Sequence, residues 1–139
     1  MEKLQFDDGI RSFRINGGGV LRFNPADPNV YARFLEGEEK LLALEKELSG
    51  AADGAEAVER LRQVDGQMKQ VLNHIFGPEN DFEVLLKGVN LLAVASNGQR
   101  VVANLFAALE PVITQGAERC AAQQTALAVE KARARREKQ

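Results

Sequence analysis

The sequence lacks most of the side chains on which enzyme chemistry depends. Its 139 residues hold one cysteine, one histidine and no tryptophan. A lone Cys120 cannot close an internal disulfide, and with no secretory pattern over Met1–Ile10 the expectation is a cytoplasmic protein. A lone His74 has no second histidine or cysteine to share a metal, so a structural or helix-end role is expected for it, and a packed thiol for Cys120. No apolar run approaches the roughly 20 residues that cross a bilayer. Even Val89–Ala95 is bounded by Gly88 and Ser96, so no membrane partner is expected.

Other motifs also fall short. Gly17-Gly18-Gly19 lacks the Gly-Lys-Ser/Thr ending of a phosphate loop. Asp7-Asp8-Gly9 lacks the spacing and terminal glutamate of a calcium loop and reads as a turn. Glu36, Glu38 and Glu39 read as a solvated helix face rather than an acid/base pair. No catalytic residue, cofactor site or metal site is therefore expected, and the chain is expected not to be an enzyme.

Charge is unevenly spread. In Glu130–Gln139, Lys131, Arg133, Arg135, Arg136 and Lys138 stand against Glu130 and Glu137. That makes the end +3 and, for a chain of net charge −2, leaves −5 on the rest. No aromatic residue stands among the bases, so stacking platforms for nucleic acid are missing and no nucleic-acid partner is expected.

The residues present specify a mainly α protein with an N-terminal β-hairpin (α+β). Phe13–Asn16 and Val20–Asn24 alternate apolar and polar residues around the triple glycine, which predicts the hairpin within about residues 10–24, with Leu4–Phe6 as a possible third strand. Asp27-Pro28 predicts a helix start. Its apolar stripe is Val30, Phe34, Gly37, Leu41, Leu44 and Leu48, and Ser49–Gly54 ends it.

Asp53 with Glu56 predicts a capping box for a second helix, with stripe Ala57, Leu61, Val64, Met68, Val71 and Ile75 and a stop at Gly77-Pro78. Two matching stripes joined by a short loop predict an antiparallel helical hairpin. Asn80 with Glu83 predicts a short helix over Asp81–Lys87. Val89–Ala95 is expected to be buried in a conformation left open. Ser96 with Gln99 predicts the start of a long C-terminal helix, kinked at Pro111.

After Cys120 large apolar residues thin to Leu127 and Val129 while helix formers continue. The expected organisation is one domain over 1–120 and a projecting Ala/Gln/Arg-rich helical tail over 121–139. Leu127, Val129, Arg133, Arg135 and Arg136 are the candidate protein-binding residues. The alternative is that this tail merely solubilises the chain.

The run Phe13-Arg14-Ile15-Asn16-Gly17-Gly18-Gly19-Val20-Leu21-Arg22-Phe23-Asn24-Pro25-Ala26-Asp27-Pro28, with Ile75-Phe76-Gly77, Asn80-Asp81-Phe82 and Gly88-Val89-Asn90, resembles a family. It is that of the small tail-assembly-chaperone-like proteins encoded in tail gene clusters of phages and prophages of Gram-positive bacteria. The resemblance implies a non-enzymatic assembly factor in the host cell that holds the tape-measure protein soluble and helps tail-tube subunits polymerise around it. The alternative is a structural tail or connector component retained in the virion. Whether the chain forms a homo-oligomer stays open.

Overall fold

The structure, a computed structural model, describes residues 1–48 and 53–137. The hairpin pairs β1 (Arg11–Arg14) antiparallel with β2 (Val20–Phe23), Phe13 opposite Leu21 and Arg14 opposite Val20. Asn16 and Gly17 both take positive φ, 48° and 72°, and Gly18 N–H donates to Ile15 O at 2.8 Å. Two central residues at positive φ match the right-handed twist of the strands, which is why an Asn-Gly pair serves here. The third strand expected at Leu4–Phe6 does not form: residues 1–10 are exposed, with Leu4 at 93% and Phe6 at 82%. One alternating pair of apolar residues beside the Asp7-Asp8-Gly9 turn offers too little surface to hold a strand in place.

Helix α1 (Pro28–Lys46) is capped by Asp27, whose side chain accepts from Asn29 N–H at 2.9 Å. It buries Val30, Phe34, Gly37 and Leu41, with Leu44 and Leu48 half-buried against the core. Helix α2 (Ala55–Phe76) runs back along it: Arg33 Nε donates to Ile75 O, and Arg60 donates to Glu47 O. Start of one against end of the other makes the pair antiparallel. Gly37 sets their closeness, since a Cβ there would collide with Ile75 Cδ1. Of the expected connecting loop, Ser49 to Ala52 lie outside the described residues. The capping box expected from Asp53 does not form. Gly54, at φ 73°, is the N-cap and no side chain bonds the first turn, because that positive φ turns the chain sharply just before the helix.

Asp81, not Asn80, caps the single turn α3 (Phe82–Leu85), accepting from Glu83 N–H at 3.0 Å. Asn80 is buried and used elsewhere. Val89–Ala95 is only partly buried: Leu91 and Leu92 are in the core, whereas Val89 and Val94 are 44% and 73% exposed. The segment is a series of turns, so its side chains cannot all face one way. Its carbonyls do the capping expected of Ser96. Leu91 O and Ala93 O accept from Val102 and Val101 N–H, so α4 (Val101–Glu137) starts five residues later than its sequence signal.

Helix α4 continues unbroken through Pro111. Pro111 and Ala107 are both exposed, so the carbonyl that loses its helical donor is left to water.

The core gathers Leu21 and Phe23 from the hairpin, Phe34 and Leu41 from α1, Met68, Leu72 and Ile75 from α2, Phe82 from α3, and Leu109 and Ile113 from α4. An aromatic chain crosses it: Phe13 stacks on Phe23 at 5.2 Å, Phe23 meets Phe76 edge-on at 4.8 Å, and Phe76 meets Phe82 at 5.6 Å. No helix among the described residues is long and apolar enough to cross a membrane.

Candidate partner-docking surface

Two buried polar devices hold the frame that presents the surface. Ile15 and Gly19 form a hydrogen-bonded pair beside the turn, so the antiparallel alternation points the backbone groups of Arg22 away from β1. Asn80 meets them like a neighbouring strand, its Oδ1 accepting from Arg22 N–H at 3.0 Å and its Nδ2 donating to Arg22 O at 2.8 Å and Phe76 O at 2.9 Å. The outer edge of β2 is thereby capped at Arg22. That of β1 has no strand beside it among the described residues.

The second device is an ion cluster. Lys69 Nζ, 4% exposed, donates to Asp65 Oδ2 at 2.9 Å and Glu83 Oε2 at 2.6 Å, while Asp65 Oδ1 accepts from Leu91 N–H at 2.7 Å. Burial pulls the Lys69 pKa down, but hydrogen bonds to Glu83 and Asp65 outweigh it and the pKa rises above 10.5. The cluster pins α3 and the turns after it onto α2. Neither device was found from the sequence. Asp65 and Lys69 do stand at the i, i+4 spacing of a helical ion pair, a signal hidden by their position beside the apolar stripe.

On the candidate surface itself, burial along α4 ends at Gly116 and every residue from 121 to 136 is exposed. Leu127 is 43% and Val129 47% exposed. Arg133, Arg135 and Arg136 are exposed as well, so all five candidate residues are available to a partner. They do not share a face. A helix turns about 100° per residue, which sets Leu127 and Val129 about 200° apart. Val129, Arg133 and Arg136 lie on one side with Ala122, Ala126 and Ala132, and Leu127 and Arg135 lie on the other with Lys131.

The extent of exposure is large. The chain has 10103 Å² of accessible surface, against about 7,100 Å² for a compact monomer of 15.2 kDa, an excess of about 3,000 Å². The free end of α4 and the arm at residues 1–10 account for it in kind.

Two grooves flank α1. The larger, about 460 Å³, lies between α1 and α2 and mixes Arg33, Glu36, Lys40, Gln67 and His74 with Val71 and Leu44. His74 is thus an exposed residue at a helix-pair surface. The second, about 250 Å³, lies between α1 and α4. Its floor is Leu41, Val102 and Phe106, its rim includes the 58%-exposed Leu42, and the ionisable residues lining it, among the described residues, are Glu38, Glu45 and Glu110. Burial, and then the nearby Glu110, raise the Glu38 pKa above 4.5. Phe106 also packs on Phe34 at 5.2 Å, which fixes this wall of the groove.

Cys120 is half-buried on α4 and carries no disulfide. Asp7 and Asp8 form the expected turn, their side chains accepting from Gly9 and Ile10 N–H. Among the described residues no group of three or more His, Cys, Asp or Glu side chains is arranged to hold a metal ion. What these surfaces offer chemically is helix-to-helix packing with charged rims. Comparison of the chain with models of protein families, with curated proteins and with solved structures gives no match.

Proposed function

We propose that this protein is a non-enzymatic assembly chaperone or adaptor of the host cytoplasm that binds phage tail proteins, holding a helical tape-measure protein soluble while tail-tube subunits assemble around it. The observation that carries the reading is the free end of α4, where helix-forming residues with Leu127, Val129 and an arginine cluster extend beyond the last core contact. An extended amphipathic partner helix has apolar surface to cover, and an exposed helix with apolar centres and charged borders is suited to cover it. The arginines then form the polar rim of a protein contact rather than a nucleic-acid surface.

Co-expression with the tape-measure and tube proteins of the same tail gene cluster tests this. A soluble complex containing this chain is expected. Failure to associate with either protein would overturn the reading.

The open edge of β1, beside an arm exposing Leu4 and Phe6, favours a second reading: a structural tail or connector component whose hairpin extends a neighbour's sheet. Mass spectrometry of purified virions separates the two. A chaperone is absent from the particle and a structural part is present in stoichiometric amount.

A further inference from the structure

We infer that the α1–α4 groove is the docking site for the C-terminal helix end of a second copy of this chain, so that two copies exchange tails reciprocally. The groove and the tail are complementary in charge. The groove offers Leu41, Leu42 and Phe106 between three carboxylates, Glu38, Glu45 and Glu110, with no basic residue lining it among the described residues. The tail offers Val129 followed on the same face by Arg133 and Arg136, within a stretch of alanines slim enough to lie in a shallow groove.

Burial, and then repulsion from Glu110, raise the Glu38 pKa, so a cation placed beside Glu38 would be favoured.

The tail of the same molecule cannot serve. One wall of the groove and the tail belong to the same continuous helix, and Val129 lies about 28 Å along the axis beyond Glu110. Only another molecule can bring a tail to this groove, and when it does its own groove lies open to the first molecule's tail. Such an exchange is isologous and closes at two copies.

Tail exchange requires no phage partner, so the full-length protein alone is the test sample. Sedimentation velocity and light scattering should give twice the chain mass at about 100 μM and about 50 mM salt, with weaker association at about 500 mM salt as the charge pairs are screened. Reversal of the groove (Glu38→Lys, Glu45→Lys, Glu110→Lys) or of the tail (Arg133→Glu, Arg136→Glu) should each weaken self-association at least about tenfold, the size expected when attractive pairs become repulsive.

Mixing the two reversed proteins should restore a pair, because each then meets a groove of opposite charge. Circular dichroism checks that both fold. If the groove reversal does not, Glu45→Gln with Glu110→Gln replaces it, and a smaller weakening is expected. A wild-type monomer at this concentration overturns the inference. So does association that survives either reversal, or a mixture that fails to restore it.

Discussion

Gly66 and Gly116 both lie inside helices, and replacing each by alanine should move stability in opposite directions. Alanine is favoured over glycine within a helix by about 1 kcal/mol, largely because the unfolded glycine chain has more freedom to lose. At Gly66, in α2, a Cβ would meet nothing within 4 Å, so Gly66→Ala should raise stability by about 0.5–1 kcal/mol.

At Gly116 a Cβ would overlap the carbonyl oxygen of Pro25, with Ala26 N at 2.9 Å behind it. These are backbone atoms of the segment entering α1, so no side chain can rotate away. Either α4 or the segment carrying the Asp27 cap must shift. Overpacking of this kind costs up to about 3 kcal/mol, or more where backbone must move. It therefore outweighs the helix gain, and Gly116→Ala should lose about 2 kcal/mol net. Urea unfolding followed by circular dichroism measures both, and an unchanged m value with a shifted midpoint isolates stability. Equal stabilisation by the two substitutions would refute the close crossing of α4 over Pro25–Ala26.

Three other perturbations probe the buried polar devices and the helix end. Lys69→Met leaves Asp65 buried without its cation and should cost about 3–5 kcal/mol, whereas Glu83→Gln, on a 58%-exposed side chain, should cost less than about 1 kcal/mol. Because the folded-state pKa of Lys69 is raised, its contribution is complete below the unfolded value near 10.4 and is lost as pH rises through the higher folded value. The stability difference between wild type and Lys69→Met should therefore be constant at neutral pH and shrink above about pH 10.

Asn80→Ala removes both bonds to Arg22 and should cost about 2 kcal/mol, with amide hydrogen exchange at Arg22 accelerating more than at Met68; equal acceleration would show that the hairpin is not held there. In protein dilute enough to be monomeric, ending the chain at Cys120 should change the unfolding midpoint by less than the equivalent of about 0.5 kcal/mol, because residues 121–136 are exposed. A larger loss would place part of that helix in the core.

Local physics determined, from the sequence alone, the elements whose signals are self-contained. Glycines between alternating strands specify a hairpin, Asp27-Pro28 and Gly77-Pro78 specify helix ends, and two stripes of period near 3.6 specify a helical pair, because each depends only on neighbours in the chain. The fading of large apolar residues after Cys120 likewise marked where burial stops.

The tertiary structure decided what depends on distant residues. Asn80 has the composition of a helix cap, yet the unpaired backbone of Arg22, 58 residues earlier, claims its side chain. Ser96 has the same composition, yet carbonyls at Leu91 and Ala93 take the helix start. Asp65 and Lys69 become buried because Glu83 and the Leu91 amide complete their hydrogen bonds. The groove of Glu38, Glu45 and Glu110 exists only where α1 and α4 meet, and the five tail residues chosen for their chemistry separate onto two faces once the helix turns them. A sequence specifies periodicity and caps directly, but which polar group satisfies which, and which charges face each other, is settled by the packing of elements far apart in the chain.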